Sequence, residues 1–455
     1  MTRKLLIIFL TMSLFSCHYI SQDQIGETSI RAVVVNPKKG EFYISKDFFQ
    51  QDADTLHLTD ENEVNTVLDS IEEGLYVLYL FPEYQTIYLK PNDSLAMHIN
   101  VDEFDEYLSF SGGLGFENNL LVDLFLINEK QSEAYYKQKW QISQVQLTKL
   151  VDSFATIKKN LLQDYKDDLK ETTEKFRQIV ALYINSTSYS IKEDFVRRHP
   201  EKEFSKTFLA YRNVLKEPIA DTRIIDLFNF TDTYLANCMP KDSRKKASFF
   251  QDLLKIGKKE IADESFKSAV FSRYCYGYIT GKKITSIDET VKQYFEAIHK
   301  PKEIAYCKKM IEKNKRLQTK QKFPSIRVKT TDGSVILMDS ILLSKNSIVS
   351  IWDLYWKKNS SANYKKLLNI KKQFPDIQIV LLNKNYNDFD GWKQTISSGA
   401  GFENYQIVSK NNIDSIMPYS FAQVYFVRND TIAESMVNLF HVDFNEYLNH
   451  FGKKK

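Results

Sequence analysis

Cysteine is scarce in this chain: four in 455 residues, at positions 17, 238, 275 and 307. A disulfide-built scaffold is excluded, because such scaffolds crowd many paired cysteines into a short sequence. Glycine (14) and proline (10) are few as well, which rules out collagen-like and linker-rich chains. An excess of one charge is missing. Lys and Arg number 62 against 58 Asp and Glu, and a net charge of +4 over this length leaves no basic footprint for nucleic acid. Signature motifs are also absent. The seven histidines, at 18, 57, 98, 199, 299, 441 and 450, form no HExxH and no close pair with metal-ligand spacing, and there is no Walker loop, GxSxG or GxGxxG. No metal centre and no cofactor are expected.

What the chain has is length and rings. At ~100–200 residues per domain, 455 residues predict about three folded units. With 31 Phe and 26 Tyr there are enough large side chains to fill several cores. Hydrophobic residues at 43% and charged residues at 26% fit neither a disordered chain nor a polytopic membrane protein.

The first residues, MTRKLLIIFLTMSLFSC, place Arg3 and Lys4 before an apolar stretch from Leu5 to Phe15. The stretch is too short for a membrane span of ~20 residues and has the form of a signal-peptide core. Leu14-Phe15-Ser16-Cys17 resembles the bacterial lipobox. Cleavage would leave Cys17 as an acylated first residue and a membrane anchor, each buried CH₂ contributing ~0.8 kcal/mol. Residues 1–16 are thus read as a lipoprotein signal peptide and 17–28 as a polar tether. The three later cysteines allow at most one bridge, with three possible choices. Buried, unpaired thiols are the plainer reading.

From 29 to 115 the sequence alternates in short runs, such as Ile30–Val35 and Leu75–Leu80, which predicts a small antiparallel β domain. The clearest pair is Thr86–Leu89 with Leu95–Ile99, joined through Lys90, Pro91, Asn92 and Asp93. The cluster Ser111-Gly112-Gly113-Leu114-Gly115 marks the boundary. From 116 to 322 apolar residues recur at three- and four-residue spacing, predicting an all-helical region in which Lys158, Lys159 and Lys313–Lys320 read as solvated faces. Tyr274, Tyr276 and Tyr278 read as packing. The acidic cluster Asp102, Glu103, Asp105 and Glu106 reads as a solvated turn, since it lacks the alternating order of a calcium loop. From 323 to 455 strand and helix alternate: a turn at Asp332-Gly333, fully apolar strands at Ser347–Trp352 and Ile377–Leu382, helices near Ser360–Phe374 and Gly391–Ser398, a hairpin of Val424–Arg428 with Thr431–Ser435, and a closing helix His441–Phe451. Continuous apolar strands require a sheet covered on both faces.

That order of parts resembles the TlpA-like branch of the thioredoxin superfamily, over roughly Phe323–Phe451. IVSIWDLYW is similar to its central strand running into the redox loop, and IQIVLLN followed by Trp392-Lys393 to its second strand and next helix. FSGGLGFENNLL resembles the end of a β domain that often precedes such modules in envelope lipoproteins. The resemblance implies a multidomain α+β chain ending in a thioredoxin-like α/β domain, in a lipid-anchored protein of the cell envelope, on the periplasmic face of the outer membrane.

The chain departs from that family where its chemistry sits. In the family a Trp-Cys-x-x-Cys loop opens a helix whose N-terminus favours the attacking thiolate. Here Trp356 stands at the first cysteine, Lys357 and Lys358 between, and Asn359 at the second. The family's cis proline falls at Phe421 or Ala422, with Pro418 either a displaced equivalent or a loop proline. Asn359, Ser360 and Ser361 read as N-cap residues, which would leave Lys357 and Lys358 in the loop. The expectation is a module without a catalytic residue that binds a protein or peptide, or serves structurally, with Tyr355, Trp356, Lys357, Lys358, Asn359 and Phe421 around its groove. The alternative is a thiol-disulfide oxidoreductase of the periplasm working through Cys238, Cys275 or Cys307.

Overall fold

The computed structural model describes residues 25–37, 39–46, 53–80, 83–239, 243, 247–354, 357–396, 402–417 and 422–453. The leader and Cys17 lie outside them. No described helix is long and apolar enough to cross a membrane. The chain divides into two compact units, Met1–His199 with Arg223–Phe230, and Pro200–Thr222 with Thr231–Lys455. The helical stretch 116–322 therefore does not form a unit of its own, as the sequence reading had it. Its helices are divided between the β-rich half and the α/β half.

The first unit opens with eight strands: β1 Ile25–Val35, β2 Glu41–Ser45, β3 Ala53–His57, β4 Glu63–Glu72, β5 Gly74–Leu80, β6 Glu83–Leu89, β7 Asp93–Asn100 and, after the short helix α1 (Phe104–Tyr107), β8 Ser109–Ser111. Residues 25–28 are therefore strand rather than tether. Two four-stranded sheets result, ordered β4-β1-β7-β8 and β3-β2-β5-β6. Alternation along β1 puts Ile30, Ala32 and Val34 in the core while Arg31 and Val33 face out. Pairing is antiparallel except between β1 and β7, which run parallel from Thr28↔Asp93 to Val35↔Asn100.

This arrangement corrects the expected hairpin. Strands β6 and β7 lie in different sheets: β6 pairs with β5 from Gly74↔Leu89 to Leu80↔Glu83, and β7 takes β1 and β8. The Lys90–Asn92 turn is a corner between sheets, with Asn92 left-handed (φ 59°) and its N–H given to the Glu27 carbonyl at 2.6 Å.

Helices α2 (Gly115–Tyr136), α3 (Gln144–Asp164), α4 (Lys166–Glu171) and α5 (Glu174–Arg198) follow. At Gly113 a Cβ would meet Asp93 Oδ1 at 1.8 Å, so any side chain there would have to displace the Asp93 carboxylate. Two adjacent asparagines at the start of α2 tie it to the sheets. Asn118 accepts from Tyr88 N–H (2.8 Å) and donates to Tyr88 O (3.0 Å) on β6. Asn119 accepts from Phe110 N–H and donates to Phe110 O on β8, both at 2.9 Å. Ser143 and Thr173 cap α3 and α5 by accepting the N3 amide. Lys158 is not solvated: it is 2% exposed and donates to Gln131 Oε1 (2.7 Å) and the Ile184 carbonyl (2.9 Å) among α2, α3 and α5.

Helix α6 (Ile225–Asn237) spans the division. The second unit continues with α7 (Phe249–Glu260), α8 (Glu264–Lys282), α9 (Glu289–Ala297) and α10 (Pro301–Arg316). Lys313 on α10 is also buried, at 7% exposure, and the solvated reading fails there too. Tyr274 is buried, Tyr276 stacks on Tyr306 and Tyr278 donates to Asp288 Oδ2 at 2.6 Å, so this stripe is packing.

Strands β9 (Arg327–Lys329) and β10 (Val335–Leu337), helix α11 (Met338–Leu342), β11 (Asn346–Trp352), α12 (Lys357–Gln373), β12 (Gln378–Asn383), α13 (Phe389–Ile396), β13 (Glu403–Ile407), α14 (Lys410–Ile416), β14 (Gln423–Arg428), β15 (Thr431–Asn438) and α15 (Phe444–Lys453) complete the chain. The sheet order is β10-β9-β13-β12-β11-β14-β15. β11, β12 and β13 are parallel, and β14 and β15 antiparallel. Along β11, Val349 and Ile351 join Val380, Leu382, Tyr425 and Val427 on one face against Phe323, Met338 and Ile416. Ile348 joins Ile379, Leu381, Val424 and Phe426 on the other, against Leu367, Ile370, Phe444 and Phe451. A βαβ unit at the sheet centre, continued by an antiparallel hairpin and a closing helix, is a thioredoxin-like domain. The fold class is as the sequence read it, with α11, β13 and α14 added.

Candidate functional site

The candidate site is the end of the sheet at which β11 leaves for α12, outside the carboxyl ends of the parallel strands, where open α/β sheets bind their ligands. In-register pairing of Trp352 with Asn383 brings the residues after the two strands side by side. The ladder continues one step beyond the strands, Lys384 N–H donating to the Trp352 carbonyl at 3.1 Å. Next to it the Lys384 ammonium meets the Asp353 carboxylate at 2.8 Å. The Asp353 side chain is 2% exposed and that of Lys384 30%.

Asn385 fixes the following residue. Its Oδ1 accepts Leu354 N–H at 2.9 Å, and its own N–H goes to Asn383 Oδ1 at 2.9 Å. From the neighbouring β13, Gln406 Nε2 donates to the carbonyls of Asn385 (2.6 Å) and Asp388 (3.0 Å). Asp353, Asn383, Asn385 and Gln406 are all buried, and a buried polar group is tolerable only when so partnered. Sequence reasoning missed this cluster. The signal was an Asp and a Lys directly after two adjacent parallel apolar strands.

Four residues, 353–356, connect β11 to α12. The helix opens at Lys357, two residues earlier than the Asn359 cap predicted. Asn359, Ser360 and Ser361 are inside it, and Lys357 and Lys358 stand in the first turn rather than the loop. Two lysines thus stand near the helix start, where its dipole disfavours positive charge.

Tyr355, Trp356, Pro418 and Phe421 lie outside the described residues, as do the side chains of Lys357, Lys358 and Asn359. The backbone register nevertheless brings two approaches together. Ser350 faces Val424 across the β11–β14 ladder, so the chain entering β14 at Ala422 and Gln423 arrives at the sheet end from which β11 departs. Ala422 O accepts from Leu439 N–H at 2.8 Å.

The remaining cysteines sit among the helices. Cys238 is exposed, whereas Cys275 and Cys307 are buried at 0 and 2%. The neighbouring Cys307 thiol together with burial pushes the Cys275 thiol far above its usual range. Among the described residues no group of His, Cys, Asp and Glu is arranged to hold a metal ion.

No family model matches the chain, and no curated protein does. Among solved structures it is similar to the thioredoxin domain of a thiol-disulfide oxidoreductase from Bacteroides vulgatus, at 15% identity and a TM-score of 0.26, over 30% of this chain and 99% of that one. It is similar also to a thiol:disulfide interchange protein from a Bacteroides species, at 16% identity and a TM-score of 0.26, over 30% of this chain and 92% of that one.

Proposed function

We propose that the chain is an envelope lipoprotein, anchored through acylated Cys17 at the periplasmic face of the outer membrane, whose thioredoxin-like domain binds a protein or peptide or serves structurally, without thiol chemistry of its own. One observation carries this reading. No cysteine follows Cys307, and the resemblance puts Trp356 and Asn359 at the two redox positions. A fold keeps its function only where it keeps the site. The first two residues after β11 are fixed, the Asp353 side chain on Lys384 and the Leu354 N–H on Asn385, which suits a fixed binding edge. Tyr355, Trp356 and Phe421 are its aromatic anchors, a residue type enriched where interfaces concentrate their energy.

Thiol-disulfide exchange through the helical region is the competing reading. It needs a reachable pair of thiols, and Cys275 and Cys307 are both buried in the interior. The test is insulin reduction by the purified chain, for which a rate equal to the buffer blank is expected. Turnover that survives replacing Cys238, Cys275 and Cys307 by serine overturns the proposal. Turnover lost with one of them establishes the oxidoreductase. Anchoring is tested separately. Cys17→Ser should abolish labelling by a palmitate analogue and release the body from the membrane fraction, and labelling that persists refutes the lipid assignment.

A further inference from the structure

Helices α8 and α10 are joined by a series of contacts that rise together along both: Ser272 with Glu303, Tyr276 stacked on Tyr306 at 5.8 Å and 17°, and Asn314 donating to the Ile279 carbonyl at 3.1 Å. The two helices therefore pack parallel. Cys275 and Cys307 fall in the middle of that series, next to the stacked Tyr276 and Tyr306 and one turn past Ser272 and Glu303, so both lie on the seam between the helices. Both are almost fully buried, while the other described cysteine, Cys238, is exposed. Two cysteines placed this way face one seam between packed helices, which is where a bond between α8 and α10 would form.

We propose that Cys275 and Cys307 are oxidised to a disulfide that joins α8 to α10. The oxidant is a small-molecule or protein disulfide. A thiolate from the pair attacks one sulfur of that disulfide and expels the other as a thiol. The second cysteine then displaces the mixed disulfide, forming the Cys275–Cys307 bond and releasing a second thiol. Two electrons and two protons pass from the pair to the oxidant. Burial that keeps Cys275 protonated makes the finished fold slow to react in either direction, since only the thiolate attacks. The bond is thus made while the chain folds and persists afterwards. The oxidising compartment rests on the envelope reading above, but the bond itself is tested without it.

Full-length chain is refolded from denaturant in a mixture of oxidised and reduced glutathione, quenched with an alkylating reagent, and digested without reduction. A cross-linked peptide containing Cys275 and Cys307 is expected, with Cys238 alkylated, and native protein should resist dithiothreitol at concentrations that reduce it at once in urea. The cross-link should disappear in Cys275→Ser, leaving Cys307 alkylated. Recovery of Cys275 and Cys307 fully alkylated, or of a bridge through Cys238, overturns the proposal. Insulin turnover bears on the functional reading alone, so the two fail independently.

Discussion

Lys158 gives the sharpest quantitative expectation. Its ammonium lies among α2, α3 and α5 with two neutral acceptors, Gln131 Oε1 and the Ile184 carbonyl. Desolvation pushes its pKa down from 10.5 to about 8, with Asp226 opposing weakly. Below pH 8 both folded and unfolded chains hold the proton, and the folded state bears the full cost of a buried charge. Between pH 8 and 10.5 the unfolded chain keeps a proton that the folded chain has released, so stability rises with pH, by about 1.4 kcal/mol per unit. The whole window amounts to about 3 kcal/mol. Buried Tyr88 and Tyr135 act in the opposite sense, because burial holds their phenols protonated above the usual range and the unfolded chain ionises first. Comparing wild type with Lys158→Met cancels them. Urea denaturation followed by far-UV circular dichroism at pH 7.5 and 9.5 should show wild type gaining about 2 kcal/mol on the variant. A difference between the two proteins that does not change with pH, or one that moves the other way, refutes the buried, depressed lysine.

Two further substitutions test the frameworks around the site and the β domain. Lys384→Met leaves the Asp353 carboxylate buried beside an apolar chain and should cost about 2–3 kcal/mol, somewhat below a fully buried pair because Lys384 is partly exposed. Asp353→Asn should cost less, and equal losses in urea midpoints would show that the pair is not what holds the turn. Asn118→Leu strands both backbone groups of Tyr88 and should cost about 3 kcal/mol, whereas a change under about 0.5 kcal/mol would mean that water replaces the amide.

The parts of the fold legible in the sequence are those whose cause is local. β11 and β12 are runs of apolar residues that only a doubly covered sheet accommodates, and the hairpin β14–β15 lies around a short turn. β13 escaped because its Glu403, Asn404 and Gln406 interrupt the apolar pattern, Gln406 being buried for its hydrogen bonds rather than for hydrophobicity. The β6–β7 pairing was misread because the true partner of β7 is β1, more than 60 residues away, and a parallel pairing at that range leaves no local mark. Lys158 was legible in principle. Leu147, Val151, Phe154, Lys158 and Leu162 recur at helical spacing, so the lysine falls on the apolar stripe of α3. At the candidate site the loop and its substituted positions came from resemblance. The Asp353–Lys384 pair needed the register between strands.

The asparagines of α2 also bear on how the β domain avoids its own kind. β6 and β8 are the outer strands of their sheets, and a free outer strand offers N–H and C=O groups that recruit a foreign strand, the first step of aggregation. Asn118 and Asn119 occupy one such pair of groups on each strand from a single helix turn. Two side-chain amides thereby act as a one-residue mock strand on two sheets at once. A second copy of the chain approaching either edge would meet one N–H and one C=O already paired there, at Tyr88 on β6 and at Phe110 on β8.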